Sequence, residues 1–472
     1  MFFKKDDKNN ETLVKASLYG FFIGDALGVP VEFMDRNSLK QNRVVDMREY
    51  GTHHQPKGTW SDDSSMVLAT IDGLLNSKLP NIDYSRIMYN FLAWKTRGEF
   101  TPDNNVFDIG LTTSSAIYKY QQNIKNGNPQ DVICGLDDIK SNGNGSLMRI
   151  LPISLYFYFL GMDYSDSKMF DIIKIISSMT HAHIYSILGC YIYTIYVIEL
   201  LKEQDKYKAY YNLQKIIQNA YTNNPYFKDI KEIYRRLIYD DISKLKEEDI
   251  KSSGYVVDSL EAAIWSVLTT EKFDEAVLKA VNLGNDTDTI GAITGGLAGI
   301  IYGYNAIPNK WIDDLQRKDY LEQIFNSFIK SLESLDVNNG KGNLKMEINI
   351  DKKILQDTIN DLKNNPDACK IGGGNKVDGV FHMPYSDPGE QLSKFMKYFY
   401  EIQMGDTNYI ENMKLTQNKD VSILSFDEVR TELTAIIRAE RFCSGAWYSA
   451  VESGKLLKLL ERLNDLVNNK EI

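Results

Sequence analysis

Five carboxylates stand out because each lies in a short polar segment beside an apolar run with helical spacing. Asp62 and Asp63 fall in Gly58-Thr59-Trp60-Ser61-Asp62-Asp63-Ser64-Ser65-Met66, and Asp286 and Asp288 in Gly284-Asn285-Asp286-Thr287-Asp288-Thr289. Glu32 closes the third segment, Gly24-Asp25-Ala26-Leu27-Gly28-Val29-Pro30-Val31-Glu32. Taken singly, each has a plain structural explanation. Ser or Asp ahead of a helix satisfies free N–H groups and complements the positive end of the helix dipole, and Glu32 reads as a solvated loop carboxylate. Taken together they imply more. Two unit charges 4 Å apart repel by about 4 kcal/mol at an effective dielectric near 20, so five converging carboxylates must take up protons or recruit cations. The clusters contain neither Cys nor His. Their donors are all hard oxygens, which suit Mg²⁺ or Mn²⁺ far better than Zn²⁺ or Cu²⁺. With the hydroxyls of Ser61 and Thr289 they suffice for a two-metal site. An EF-hand is excluded, since no loop of about 12 residues closes on a glutamate.

A second kind of chemistry is suggested by Ser141-Asn142-Gly143-Asn144-Gly145-Ser146-Leu147-Met148-Arg149. Gly143 and Gly145 permit a backbone whose N–H groups converge on an anion, with a helix start following; a simple polar turn fits the same residues. It is not a Walker loop, because the Gly-Lys-Ser/Thr ending is missing. Among the histidines, Thr180-His181-Ala182-His183 places two rings at i, i+2, a spacing that denies them a common helical face. One ring is expected to face a pocket and the other solvent. His53 and His54, in a loop flanked by Gly and Pro, read as exposed.

These residues need elements to hold them, and the chain supplies helices. Glu11–Gly28, Ser64–Lys78, Ile187–Leu201, Ser259–Thr270 and Asp274–Val281 carry apolar residues at helical spacing or nearly all round. Val44–Met47 is one short candidate for extended chain. Gly20, Gly24 and Gly28 recur every four residues, as do Gly291, Gly295, Gly299 and Gly303. Each glycine inside a helix costs about 1 kcal/mol relative to alanine, so two such ridges imply close approach of helix backbones. The pattern lapses at Asp336–Lys345, a plausible linker. Beyond it Asp351–Leu362, Glu390–Gln403 and Ser425–Arg438 read as helices, the last opened by a Ser425/Glu428 capping box. The expected architecture is all-α: a compact multi-helix domain over residues 1–335 and a smaller, mostly helical one over 346–472.

Composition narrows the function classes. The 472 residues include 54 Lys and Arg against 64 Asp and Glu, a formal charge of 54 − 64 = −10. That balance disfavours sequence-independent nucleic-acid binding, which depends on neutralising phosphates, and no nucleic-acid groove is expected. Cys134, Cys190, Cys369 and Cys443 are far apart, which supports neither a disulfide framework nor a structural zinc site. The first residues lack an apolar run after their lysines, and the most apolar stretch, Ile187–Ile198, is shorter than the roughly 20 residues of a bilayer span. A cytoplasmic protein with no membrane partner is therefore expected; oligomeric state leaves no mark in the chain.

In order and spacing, GFFIGDALGVPVEF, GTWSDDSSM, SNGNGSLMRILP, THAH, GYVVDSLEAAIWSVL and GNDTDTIGAITGGLAGIIYG resemble the ADP-ribosylglycohydrolases over about residues 11–330. The resemblance implies an all-helical fold with two Mg²⁺ ions in a central cleft. It also implies hydrolysis of the N- or O-glycosidic bond between ADP-ribose and an acceptor, by metal-activated water at the anomeric carbon. Carried over by position, Ser61, Asp62, Asp63, Asp286, Asp288 and Thr289 match the family's metal ligands, and Glu32 the glutamate at the cleft mouth. Asp62 or Glu32 would take the proton from water. Asn144 and Gly145, with Asn142 and Gly143 beside them, match the loop that binds diphosphate and ribose, and His181 the histidine lining the pocket. Ser61 and Ser64 stand where many members have threonine. The expected partner is an ADP-ribosylated protein or small molecule, its acceptor group left open. A dinuclear phosphohydrolase and a non-catalytic, crystallin-like binder of ADP-ribose are the alternatives. Arg438–Trp447, followed by Gly454-Lys455-Leu456-Leu457, is similar to a small bacterial domain of unknown function, with Phe442, Trp447 and Cys443 expected in its core.

Overall fold

In the computed structural model of the chain, the described residues are 10–162, 164, 167–223, 227, 230–336, 350–372, 376–377, 380–381, 385–402, 404–406, 409–416, 419–439 and 445–469. They form two compact units, Met1–Gly340 and Lys341–Ile472. The described residues are mostly helical, 68% helix against 4% strand.

The centre of the first unit is the pair of helices Asn10–Gly28 and Thr287–Tyr302, packed along their length. Their glycine ridges face each other. A methyl on Gly24 would sit 2.0 Å from the carbonyl oxygen of Gly291, and one on Gly20 2.2 Å from that of Gly295. Gly28 likewise lies against the backbone of Asp288, and Gly299 against that of Ala16. The backbone cost of glycine is thus accepted for an approach no side chain allows. Gly303 does not share in the ridge: the helix ends at Tyr302, and Gly303 caps it with φ +81°.

Around this pair lie Asp62–Leu75, Leu151–Leu160, Ile184–Glu203 and Val256–Leu268, whose apolar residues form one continuous core from Leu13 to Leu335. The helix Ile184–Glu203 is longer than the apolar run Ile187–Ile198 alone suggests. Both it and Asn10–Val31 are long and apolar enough to cross a bilayer by length and composition, yet 89% of each apolar window is buried inside the protein. That surface is spent on the core. Val44–Met47 is not a strand. The Val44 N–H donates to the Asn282 side-chain oxygen and its carbonyl accepts from the Asn282 amide, so a side chain replaces the ladder partner.

The second unit has its own core, from Ile350 to Val467, built by helices Lys352–Asn364, Glu390–Glu401, Phe426–Ala439 and Lys455–Asn468. Ser425 and Glu428 form the expected reciprocal cap: the Ser425 N–H donates to Glu428 Oε2 at 2.9 Å, and the Glu428 N–H to Ser425 Oγ at 3.4 Å. Cys369–Gly372 pairs antiparallel with Tyr385–Pro388, and Lys376–Val377 with Val380–Phe381. Trp447 packs on the core of this unit. Phe442, Cys443 and nearly all of the expected linker lie outside the described residues.

Candidate metal centre and cleft

Two helix N-termini meet at the site. Ser61 is the N-cap of Asp62–Leu75, its hydroxyl accepting the Asp63 N–H at 3.3 Å, which puts Asp62 and Asp63 in the first turn. Asp286 is the N-cap of Thr287–Tyr302 and makes no side-chain capping bond, with Asp288 and Thr289 in the first turn. The glycine contact at Gly28 brings these turns together, and Thr287 Oγ1 donates to the Gly28 carbonyl at 2.8 Å. Thr289 Oγ1 then donates to Asp63 Oδ2 at 3.1 Å, joining residues 226 positions apart.

Asp25, buried in the helix Asn10–Gly28, fastens the Asp62 turn from beneath. It accepts the N–H groups of Ser61 and Ser64 and, at 2.5 Å, the Ser64 hydroxyl. The Ser64 oxygen is therefore spent on Asp25. Glu32 is held against Asp286 by reciprocal backbone bonds: Phe33 N–H to the Asn285 carbonyl and Asn285 N–H to the Met34 carbonyl, each 2.7 Å. Phe33 (φ +64°) and Asn285 (φ +61°) both adopt left-handed backbone to make this joint, a conformation that costs on the order of 1 kcal/mol or more outside glycine.

The set opens on a cavity of about 310 Å³ lined by Glu32, Asp62, Asp108, Asp286 and Thr289 on one side and by Gly143, Asn144, Gly145 and His181 on another. Asn144 Nδ2 donates to Asp286 Oδ2 at 2.8 Å and to Ser259 Oγ at 2.9 Å, tying the glycine loop to the acidic wall. Asn142 does not line the cavity. Its amide oxygen sits 3.1 Å from both His183 Nδ1 and Ser186 Oγ, and its NH₂ donates to the Ile139 carbonyl. His183, expected to face solvent, is part-buried on that contact. Ser61, Asp63 and Asp288 are buried and do not line the cavity either.

Burial, with crowding by the other carboxylates, drives Asp62, Asp63 and Asp288 well above the ordinary aspartate range. Asp286 rises as well, from burial first, against the lowering effect of the Asn144 bond. Glu32 is pushed up to about 11 by burial and then by Asp108 and Asp286. Carboxylates so placed need protons or cations. Among the described residues, Asp63 Oδ1, Asp286 Oδ1 and Asp288 Oδ2 are buried with no hydrogen-bond partner. Buried polar atoms are almost always paired, so three unpaired oxygens on facing helix ends fit an oxygen-ligated cation. One oxygen each from Glu32, Asp286 and Asp288 falls within 4.8 Å of the others, close enough to share an ion.

Sequence reasoning missed two side chains here. His53 is not exposed: its Nε2 lies 2.5 Å from Glu32 Oε2, with its ring between those of Phe33 and Phe107 at centroid distances of 5.8 and 5.2 Å. The contact has ion-pair geometry, but burial lowers the His53 pKa and raises that of Glu32, so without a cation beside Glu32 it is a hydrogen bond between neutral groups, and a cation there would favour the carboxylate. Asp108 joins Glu32 and His53 in a second group within 4.8 Å. Neither carries a spacing signal; only the fold brings their loops to Glu32.

Comparison with known proteins adds to this geometry. A family model described as ADP-ribosylglycohydrolase matches residues 6–338, and one described as a family of unknown function (DUF6508) matches 350–469. An ADP-ribosylarginine hydrolase of Serratia proteamaculans (strain 568) is 30% identical over 316 residues, 66% of this chain and 78% of the relative. The ADP-ribosyl-[dinitrogen reductase] glycohydrolase of Rhodospirillum rubrum is 26% identical over 310 residues, covering 63% of this chain and 88% of the relative. A solved structure described as an ADP-ribosylglycohydrolase-related protein complex superposes with TM-score 0.54 and 25% identity, over 68% of this chain and 99% of its own.

Proposed function

The chain belongs to the ADP-ribosylglycohydrolase family, and from that membership we propose that its cleft releases ADP-ribose from an arginine acceptor with the help of two divalent cations, Mg²⁺ or Mn²⁺. The observation that carries the metal-dependent reading is the trio of buried, unpaired oxygens on Asp63, Asp286 and Asp288. Ser61, Asp62, Asp63, Asp286, Asp288 and Thr289 are the residues that would hold the ions. Bound there, the ions supply Lewis acidity toward ribose hydroxyls and water.

The chain's own groups do the rest. Gly143, Asn144 and Gly145, with His181, form the wall suited to the diphosphate and ribose. Asp62 and Glu32 reach the cavity and are placed to accept a proton from attacking water. Asp108, on the cavity wall, offers a guanidinium acceptor a carboxylate partner, in keeping with relatives named as ADP-ribosylarginine hydrolases. The test presents ADP-ribosylated arginine, serine and acetyl ester to the protein with Mg²⁺ and follows free ADP-ribose. Release from arginine, abolished by EDTA and restored by Mg²⁺, is expected. Phosphate appearing without ADP-ribose would mean a phosphohydrolase, and binding without release a non-catalytic module.

A further inference from the structure

Arg149, at the end of the glycine loop, is fully buried, yet among the described residues it has no ion pair and its Nε and Nη1 make no hydrogen bond. Its guanidinium rests 4.7 Å from the centre of the Phe91 ring. Burial lowers its pKa to about 10, which leaves it charged at neutral pH. The directed bonds it makes come from Nη2, to the Ile176 carbonyl at 2.9 Å and to Thr180 Oγ1 at 2.8 Å. Thr180, itself fully buried, has its Oγ1 2.9 Å from His181 Nδ1.

The Thr180 hydroxyl oxygen has a second lone pair that could accept from Nδ1–H, but that arrangement would leave the buried hydroxyl proton without an acceptor among the bonds Thr180 makes, so one assignment is favoured. A guanidinium can only donate, so it occupies a lone pair of the Thr180 oxygen. The hydroxyl has one proton to place, and of its two partners only the imidazole can accept it. Nδ1 is therefore the acceptor, and the ring carries its proton on Nε2. That edge of the ring faces the glycine loop: a methyl on Gly145 would lie 2.7 Å from His181 Cε1 and 3.3 Å from Nε2, and one on Gly143 3.5 Å from Nε2. The glycines leave the space the ring edge occupies. Burial, reinforced by the Arg149 charge, lowers His181 to about 3, so the ring stays neutral at physiological pH.

We propose that Arg149 and Thr180 are positioning residues that hold His181 as its Nε2–H tautomer, so that the cavity wall offers a fixed, neutral N–H donor to an oxygen of the bound nucleotide. The identity of the ligand rests on the function proposed above; the tautomer does not.

The experiment uses full-length, Mg²⁺-loaded protein with ¹⁵N-labelled histidine. The His181 signals, assigned by their loss in His181→Gln, should show Nδ1 unprotonated and Nε2 protonated. Thr180→Val removes the hydroxyl at nearly constant volume and should give a mixture of tautomers, with ADP-ribose bound about tenfold more weakly by calorimetry, the worth of one hydrogen bond to a charged group. Thr180→Ser, which keeps the hydroxyl, should restore both. A wild-type ring protonated on Nδ1 overturns the proposal whether or not any variant folds, as does a folded Thr180→Val with unchanged tautomer and affinity. An Arg149→Met protein with the wild-type spectrum removes Arg149 from the device. If the wild type fails to bind ADP-ribose, the functional reading falls while the spectrum still decides the tautomer.

Discussion

Asp286 shows how one side chain can serve as cap and candidate ligand. As an N-cap it makes no side-chain capping bond; Oδ2 accepts from Asn144, and Oδ1 is buried without a hydrogen-bond partner. Asp286→Asn should keep the fold, since amide and carboxylate are nearly isosteric. It should abolish the upward shift of melting temperature on adding Mg²⁺ and lower ADP-ribose release by more than about 100-fold. A retained Mg²⁺ shift would move the ions elsewhere. Acidity supplies a second prediction at this scale. Asp62, Asp63, Asp286 and Asp288 have folded pKa values above their unfolded ones, so the folded state holds more protons and stability falls as pH rises through the folded values. His181 acts in the opposite sense, but its change lies between about 3 and its ordinary value of 6.5 and is complete below neutrality. In EDTA the melting temperature should therefore fall as pH rises above neutrality, where the His181 change is complete, and saturating Mg²⁺ should flatten that slope. Calorimetric scans with and without EDTA check this. The acidic trio of segments was legible because caps leave local signals. His53 and Asp108 were not, because a residue brought to a site by a loop carries no periodicity.

Among the elements, the decisive one is the pair of glycine-ridged helices. Each ridge could be read from its own four-residue repeat, but the repeat does not name its partner. That the two ridges meet each other follows from the tertiary fold, which closes Gly24 on Gly291 and Gly20 on Gly295. The same contact sets the distance between Gly28 and Asp288, and so the position of one acidic turn relative to the other. A methyl at Gly24 has backbone on the far side, 2.0 Å away, and backbone cannot rotate aside. Gly24→Ala should cost about 3 kcal/mol or more in urea unfolding and weaken Mg²⁺ binding. Gly110→Ala, whose methyl would meet nothing nearer than 4.0 Å, serves as the control. Val44–Met47 failed as a strand for a related reason: its apolar spacing was right, but the partner offering hydrogen bonds is the Asn282 side chain.

At the scale of the whole molecule, the two units have separate cores, one running from Leu13 to Leu335 and the other from Ile350 to Val467. A fragment ending at residue 340 should fold cooperatively and keep ADP-ribose release within about twofold of the full chain, because each core closes on its own residues. Aggregation of the fragment, or loss of release, would show that the second unit completes the first. What depends on neighbours a few positions away is legible in the chain: the helices, their caps, the capping box at Ser425, and an acidic, hard-oxygen chemistry at helix starts. Which helix starts face one another, the burial of Glu32 against His53 and the turn of Asn142 away from the cavity come from long-range packing. Local preference acts over one or two turns of chain, whereas the field at a carboxylate is set by whatever the fold places within a few ångströms of it, however distant in sequence.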